Sequence, residues 1–217
     1  MGSLISIIIP CYNSSTYLAE TLDNVLSLSY SDFECIIIDD GSTDETKSIA
    51  DKYVTIDKRF QYYYQENSGS AAARNTGIKF SKGEFFQFLD ADDLIHPNKL
   101  KLQVDYLMAN QSVDIVFGQV LLFNNTAEID FATVKDYENN LTKRLSGKDE
   151  EVLTFLIKNC IMAIHSPLLR KGVIEKAGMF DPSFKSCEDY ELWFRATLAH
   201  LNFHYYNNPE TTCYYRR

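Results

Sequence analysis

Residues 84–93, EFFQFLDADD, carry an apolar strand pattern that ends on a run of carboxylates. Residues 33–40, FECIIIDD, show the same pattern earlier in the chain. Such β-rich runs alternate with helical spacing of apolar residues through the first half of the chain, which is typical of βαβ units. The sequence therefore predicts an α/β fold with a mostly parallel central sheet flanked by helices.

The predicted elements follow one another along the whole chain. We predict strands over residues 4–9, 33–38, 59–65, 84–89, 114–123 and 161–169. We predict helices over 18–26, from a capping box at Ser42-Thr43-Asp44-Glu45 to about 53, over 69–79, from Pro97 to about 108, near 150–159, up to Gly178, and near 188–200. Residues 124–151 lose this periodicity and are predicted to form a variable or mobile loop.

The composition indicates one globular domain. At 217 residues, with 45% hydrophobic residues, the chain can bury a substantial core. A net charge of -9 without a Lys/Arg-rich run argues against a nucleic-acid-binding protein.

No stretch approaches the roughly 20 apolar residues that cross a bilayer, and the run at 5–9 is too short for a signal peptide, so we expect a cytoplasmic protein. Its five scattered cysteines predict neither a disulfide framework nor a zinc site.

Two acidic clusters come directly after predicted strands: Asp39-Asp40, and the run from Asp90 to Asp93. Because the carboxyl ends of parallel strands meet at one edge of a sheet, where ligands of such folds bind, we expect the clusters to lie together. Carboxylate oxygens in that number suit Mg²⁺ or Mn²⁺. For Asp44 and Asp93, capping of the following helix or loop solvation is an equal alternative.

Five motifs together resemble glycosyltransferase family 2, whose members are inverting enzymes with the GT-A fold. They are Ile9-Pro10-Cys11-Tyr12-Asn13, Asp39-Asp40-Gly41-Ser42-Thr43-Asp44, Ala73-Arg74-Asn75-Thr76-Gly77, Leu89-Asp90-Ala91-Asp92-Asp93 and Cys187-Glu188-Asp189-Tyr190-Glu191-Leu192-Trp193. They occur in the family's order and cover nearly the whole chain. The resemblance implies a single catalytic domain over 1–217, with a nucleotide-sugar-binding half at 1–118 and an acceptor-binding half at 119–217.

The resemblance also implies how the donor is held. Pro10 and Tyr12 would line the nucleobase pocket, with the Tyr12 ring on the base. Asp40 would accept from a base N–H, which favours uracil or thymine, while Asp39 would support the loop or the ribose. Arg74 would pair with phosphate oxygens.

For the cation, the resemblance implies that Asp92 is the direct ligand of Mn²⁺ or Mg²⁺, and that Asp90 contacts either the ribose or, through water, the metal. Asp189 matches the family's catalytic base. The neighbouring Glu188 and aromatic residues such as Trp193 are predicted to raise the pKa of Asp189.

His165, Glu188 and Trp193 are candidates for the acceptor or sugar pocket. The segment Tyr215-Arg216-Arg217 resembles the start of a C-terminal segment that closes over the diphosphate in many relatives. The chain ends before the family's usual downstream residues, which predicts a truncated chain with an incomplete lid.

The implied function is metal-dependent, inverting transfer of a hexosyl or N-acetylhexosaminyl group from a nucleotide-sugar. We expect a UDP-sugar as donor, with dTDP- and GDP-sugars as alternatives. The expected acceptor is a hydroxyl of a glycan or lipid-linked saccharide, which allows peripheral association with the inner face of the membrane. Two other functions remain open here: a receiver-like, Mg²⁺-binding signalling domain and a nucleotide-binding scaffold without turnover. The sequence predicts no particular oligomeric state.

Overall fold

The computed structural model describes residues 3–125, 129, 131, 144–158 and 162–217. Its elements in chain order are β1 (Ile5–Cys11), α1 (Leu18–Leu26), β2 (Phe33–Asp40), α2 (Thr46–Ile56), β3 (Phe60–Gln65), α3 (Ser70–Phe80), β4 (Phe85–Phe88), β5 (Leu94–Ile95), α4 (Lys99–Ala109), β6 (Ile115–Phe117), β7 (Val120–Phe123), α5 (Asp149–Lys158), β8 (Leu168–Arg170), α6 (Lys171–Ala177), α7 (Glu188–Leu198), β9 (Phe203–Tyr205), a 3-10 helix (Pro209–Thr211) and β10 (Cys213–Arg216). No described helix combines the length and hydrophobicity needed to span a bilayer.

The central sheet has seven strands in the order β3-β2-β1-β4-β8-β6-β9. Its described strand pairs are parallel except those of β8, which runs antiparallel to β4 and β6. Apolar, β-branched runs make β1 and β2 suitable for burial on both faces, and every residue of β2 is buried. The predicted α/β fold with a mostly parallel sheet is confirmed.

Strand register brings the two acidic clusters to the same edge, as predicted. Cys11 at the end of β1 pairs with Asp39 at the end of β2. On the other side of β1, Ile8 pairs with Phe88, the last residue of β4. Asp90 follows two residues after the end of β4.

The strand predicted over 114–123 is wrong in one respect, because it divides into two strands in different sheets. β6 stays in the central sheet, while β7 joins a second sheet of three strands in the order β5-β10-β7. The break falls at Gly118 and Gln119. A Cβ atom at Gly118 would lie 2.5 Å from the carbonyl oxygen of Thr211 in the 3-10 helix, so the chain turns where only glycine allows this approach.

The strand predicted over 161–169 is also wrong, since β8 covers only Leu168–Arg170 and residue 161 lies outside the described residues. Residues 164–165 form a turn. Side-chain amides satisfy its carbonyls: Gln87 donates to the oxygen of His165 and Gln103 to that of Ser166. Because side chains satisfy these carbonyl groups, they do not require hydrogen bonds to a neighbouring strand.

The capping box predicted at 42–45 does not form. The Ser42 hydroxyl accepts the N–H of Asn13 instead, and α2 begins at Thr46. The Thr46 N–H donates to the Asp44 carboxylate, although the N-cap residue of α2 is Glu45, so Asp44 stabilises the start of the helix from one position before the cap.

Two further boundaries differ from the predictions. Pro97 lies two residues before α4 begins at Lys99, not within its first turn. The helix predicted near residue 150 begins at Asp149, inside the predicted loop 124–151, and most of that loop lies outside the described residues.

Helix α3 lies unusually close to the sheet. Gly77 faces β1, where a Cβ atom would overlap the Cγ2 of Ile8 and come within 3.3 Å of its Cγ1. Because glycine has no Cβ, the backbone of α3 can rest directly on the strand. This contact sets the position of Arg74, one turn earlier on the same helix, at the edge where the acidic clusters meet.

Candidate active site

A cleft of about 520 Å³ opens at the carboxyl edge of the sheet. It is bounded by the segment after β1, the start of α3, the acidic run after β4, the start of α7 and the C-terminal strand. The lining includes Pro10, Tyr12, Asp40, Ser70, Arg74, Asp90, Asp92, Glu188 and Tyr215. The fold thus gathers residues from all five sequence motifs around one cavity.

Tyr12 stands at the mouth of this cleft with 56% of its surface exposed. The segment that carries it is tied to the segment after β2. The Thr43 N–H donates to Asn13 Oδ1 at 2.9 Å, and the Ser15 N–H donates to Asp44 Oδ2 at 2.9 Å. Tyr12 therefore projects from an anchored loop, so its ring can receive a flat ligand without the loop having to order first.

Asp39 and Asp40 are adjacent but have different roles. Asp39 is 1% exposed, and its carboxylate accepts the Ser42 N–H at 2.8 Å and the Tyr62 hydroxyl at 2.6 Å. Burial, and then this contact with Asp39, raises the pKa of Tyr62. Asp39 is not among the described residues that line the cleft, so of its two predicted roles the geometry favours loop support.

Asp40 lines the cleft and holds the turn that leads into α3. Its carboxylate accepts from the Gln65 amide at 2.6 Å, the Ser68 N–H at 2.9 Å and the Gly69 N–H at 2.7 Å. A carboxylate offers about four lone-pair sites. Three are engaged, which leaves capacity for one further donor from the cleft.

Arg74 occupies the space between the acidic run and α7. Its guanidinium lies 2.6 Å from Asp90 Oδ1 through Nη2 and 2.5 Å from Glu188 Oε1 through Nη1, and the residue is 4% exposed. Burial lowers the pKa of Arg74, but the two carboxylates more than offset this and the pKa is raised. The predicted phosphate-binding arginine is therefore paired with protein carboxylates in this structure.

Asp92 reaches into the cleft as an exposed side chain. Desolvation and then repulsion from the carboxylates of Asp93 and Asp90 raise the pKa of Asp92. A divalent cation would relieve this repulsion, and the oxygen donors of Asp90 and Asp92 suit Mg²⁺ or Mn²⁺. The residues present fit the predicted cation.

Asp93 does not cap α4, whose N-cap is Asn98. It is 1% exposed, accepts the Arg216 N–H at 2.8 Å through Oδ1, and has Oδ2 3.0 Å from Nδ1 of the fully buried His165. Potential ligand atoms of Asp90, Asp93 and His165 lie within 4.8 Å of one another. The alternative of capping or loop solvation for Asp93 is thus wrong, because the side chain points into the protein and meets its partners there.

The C-terminal strand completes this side of the cleft. The Tyr215 ring stacks on the His165 ring with centroids 5.7 Å apart. The Arg216 Nε donates to the carbonyl oxygen of Asp92 at 2.8 Å, and its guanidinium also pairs with Glu20. His165 is therefore not among the described lining residues itself, but it contacts Tyr215, which lines the cleft. Spacing along the sequence does not reveal these contacts, although the resemblance had drawn attention to residues 215–217.

Asp189 lies in the first turn of α7 and is half-buried. Burial raises its pKa; the Tyr190 N–H and Arg74 act in the opposite direction, while Glu188 and Asp90 add to the increase. The predicted rise in the pKa of Asp189 is confirmed. Asp189 is next to Glu188, which lines the cleft, but it is not itself among the described lining residues.

Trp193, one turn further along α7, is fully buried in the hydrophobic core with Leu192 and Ala196. It is not among the described residues that line the cleft. Its indole belongs to a core cluster that α7 shares with strand residues such as Phe86 and Phe88, and the geometry gives no support for a place in the sugar pocket. The sequence pattern could not distinguish the two roles, since an aromatic residue near the motif suits either.

The comparison with family models decides the family. Residues 6–172 match the model for glycosyl transferase family 2. The chain belongs to glycosyltransferase family 2. This membership confirms the resemblance drawn from the five motifs, and it argues against the receiver-like signalling domain.

Two curated relatives of this family 2 chain are bacterial proteins. An uncharacterised glycosyltransferase of Rickettsia typhi is 37% identical over 194 residues, which cover 88% of this chain and 58% of the relative. The putative teichuronic acid biosynthesis glycosyltransferase TuaG of Bacillus subtilis is 29% identical over 215 residues, 98% of this chain and 79% of TuaG. The chain thus spans little more than half the length of the Rickettsia relative.

Solved structures show the same fold as this family 2 chain. S. aureus TarS 1-349 in complex with UDP-GlcNAc matches with a TM-score of 0.79 at 22% identity, over 100% of this chain and 59% of the TarS 1-349 chain. The mannosyltransferase PcManGT of Pyrobaculum calidifontis, in complex with GDP-Man and Mn²⁺, matches with a TM-score of 0.70 at 19% identity, over 99% of this chain and 57% of PcManGT. The predicted GT-A fold is therefore confirmed.

Proposed function

We propose that this chain catalyses inverting, metal-dependent transfer of a sugar from a UDP-sugar to a hydroxyl group. The observation that carries the proposal is the single cleft in which Tyr12, Asp40, the acidic run and the start of α7 meet. A mere scaffold for nucleotides would not need an acid with a raised pKa beside that cleft, and Asp189 provides one.

The donor end of the cleft supports a uridine nucleotide. Tyr12 offers an exposed aromatic face on which a base can stack, and Asp40 keeps one acceptor site that suits the imide N–H of uracil. TarS, which shares the fold, was solved with UDP-GlcNAc. PcManGT was solved with GDP-Man, so a GDP-sugar is the leading alternative, ahead of a dTDP-sugar.

Asp92 and Asp90 are the residues we assign to hold Mn²⁺ or Mg²⁺. Their carboxylates supply hard oxygen ligands at the cleft, and PcManGT, with the same fold, was solved with Mn²⁺. When bound, such a cation stabilises the negative charge that develops on the diphosphate leaving group.

Asp189 is the residue we assign as general base. Its carboxylate accepts the proton of the acceptor hydroxyl while the acceptor oxygen forms a bond to the anomeric carbon. On the opposite face, the bond from that carbon to the diphosphate oxygen breaks, so the configuration of the sugar inverts. The raised pKa of Asp189 makes its carboxylate a better proton acceptor than an ordinary aspartate.

The acceptor we propose is a hydroxyl of a glycan or lipid-linked saccharide. The relative TuaG is named for teichuronic acid biosynthesis, which supports a polysaccharide context. In this proposal residues 1–118 hold the donor and residues 119–217 hold the acceptor. The acceptor side would then include α7 and the neighbourhood of His165 and Tyr215, and a lipid-linked acceptor would bring the enzyme to the inner face of the membrane.

Isothermal titration calorimetry of UDP with and without Mn²⁺ tests the donor site. We expect Mn²⁺ to tighten UDP binding by about tenfold or more, because a cation held by Asp90 and Asp92 would offset the negative charge of the diphosphate. Asp92→Asn should remove most of that gain, whereas Asp105→Asn, an exposed aspartate on α4, should retain it. Equal and negligible binding in both conditions would contradict the proposal.

A further inference from the structure

Arg74 has an unusual position for a ligand-binding arginine. Both of its terminal nitrogens are engaged, one with Asp90 after β4 and the other with Glu188 at the start of α7. The remaining guanidinium nitrogen, Nε, is buried as well. Each terminal nitrogen of Arg74 thus already donates to a protein carboxylate, although Arg74 lines the cleft.

The partners of Arg74 come from segments far apart in sequence. Glu188 lies 114 residues after Arg74, and its Oε1 also accepts the Ser70 hydroxyl at 2.6 Å. Glu188 is therefore held from two successive turns of α3. This contact fixes the first turn of α7, which carries Asp189, against the donor half of the molecule.

The next residue of α3 holds the other end of the same segment. The Asn75 amide donates to the carbonyl oxygen of Phe180 at 2.8 Å, and the Phe180 N–H donates to Asn75 Oδ1 at 2.9 Å. Between these anchors, residues 182–187 are exposed. Consecutive residues of α3 thus bracket the segment 180–188 that leads into α7.

We propose that Arg74 is a positioning residue, which holds Asp189 in place through Glu188 and does not bind the diphosphate. This inference rests on the proposed function, since it concerns the geometry between the base and the donor. The buried guanidinium neutralises two carboxylates that would otherwise repel each other, and removing one member of a buried ion pair leaves an uncompensated charge. A lysine keeps the positive charge, but its single ammonium lacks the planar fork that spans both carboxylates.

The variants Arg74→Lys and Glu188→Gln, alone and combined, test this role. We expect each single variant to lower kcat for UDP-sugar hydrolysis by more than about tenfold while KM and the Kd for UDP stay within about threefold. Because both residues act through one contact, the double variant should lose little more than the worse single variant. Arg59→Lys, which alters an ion pair with Asp57 outside the cleft, should leave all three quantities unchanged.

A loss of UDP binding in Arg74→Lys would instead identify Arg74 as a ligand of the diphosphate. If Arg74→Lys weakens UDP binding by about tenfold or more, and its effect adds to that of Glu188→Gln, the positioning role is wrong. If Arg74→Lys does not fold, Glu188→Gln alone tests the positioning role of Arg74. A fall in kcat with UDP binding retained supports that role, and an unchanged kcat overturns it. If the wild-type protein neither binds UDP nor hydrolyses UDP-sugars, the proposed function has failed instead.

Discussion

Asp189 is the single residue on which the proposed chemistry depends most. It is half-buried at the start of α7, and burial raises its pKa. Neighbouring charges modify this rise in both directions, since Arg74 opposes it while Glu188 and Asp90 add to it. The balance leaves a carboxyl group that holds its proton at higher pH than an ordinary aspartate, whose pKa is about 3.9.

This raised pKa predicts the pH dependence of turnover. A general base acts as its carboxylate, so activity should be absent below the pKa of Asp189, rise as pH passes through it and then level off. The acidic limb of kcat should therefore lie above the ordinary aspartate value, and kcat measured from pH 4 to pH 8 locates it.

The affinity for UDP over the same pH range is the control for this profile, because it separates protonation of the base from loss of donor binding. A limb at or below the ordinary aspartate pKa would show that Asp189 does not limit the rate.

Site residues differ in how far they could be predicted from the sequence. Tyr12, Asp40, Asp90 and Asp92 lie at or just beyond the ends of parallel strands, so their place at the cleft follows from the strand pattern together with the motifs. Asp93 could not be assigned in this way. Whether an aspartate after a strand caps a helix or points inward depends on partners such as His165 and Arg216, which are distant in sequence.

Among the elements, α3 sets the geometry of the cleft because it rests on β1 through Gly77. Gly77→Ala should lower the free energy of unfolding by about 1–3 kcal/mol, since the added methyl would overlap Ile8 in a packed core. Turnover should fall too, because a shift of α3 moves Arg74. Urea unfolding and donor hydrolysis measure the two effects.

Gly172→Ala is the matched control for this prediction. Gly172 lies in helix α6, and a Cβ atom there would meet nothing within 4 Å. Alanine should then stabilise the protein by about 0.4–1 kcal/mol, through lower entropy of the unfolded chain. If Gly77→Ala is as stable as wild type, the close contact between α3 and β1 does not exist.

Long, strongly patterned elements were predictable and short ones were not. The runs of isoleucine in β1 and β2 and the alanine-rich start of α3 have clear local signals. β5 has two residues, and β10 pairs with β5 and β7, from which it is separated by about ninety residues or more. The second sheet exists because of these long-range pairings, which leave no local pattern.

At the scale of the whole molecule, the cleft joins both halves of the chain. Tyr12, Asp40 and Asp92 come from the first half, while Glu188 and Tyr215 come from the second. Arg216 strengthens this junction, because its backbone N–H donates to Asp93 and its guanidinium pairs with Glu20 on α1. The proposed transfer therefore requires that α7 and β10 stay packed against the elements of the first half that line the cleft.

Metal-dependent release of UDP from UDP-sugars by wild type and Asp189→Asn tests the central claim most directly. We predict Mn²⁺-dependent release by wild type and a loss of about 10²–10⁴-fold in Asp189→Asn, the usual contribution of a general base. The Kd for UDP should stay nearly the same in the variant, and Asp105→Asn, an exposed aspartate paired with Lys101, should keep full activity. Turnover retained in Asp189→Asn would contradict the role of the base, and no release by wild type from any nucleotide-sugar would contradict sugar transfer itself.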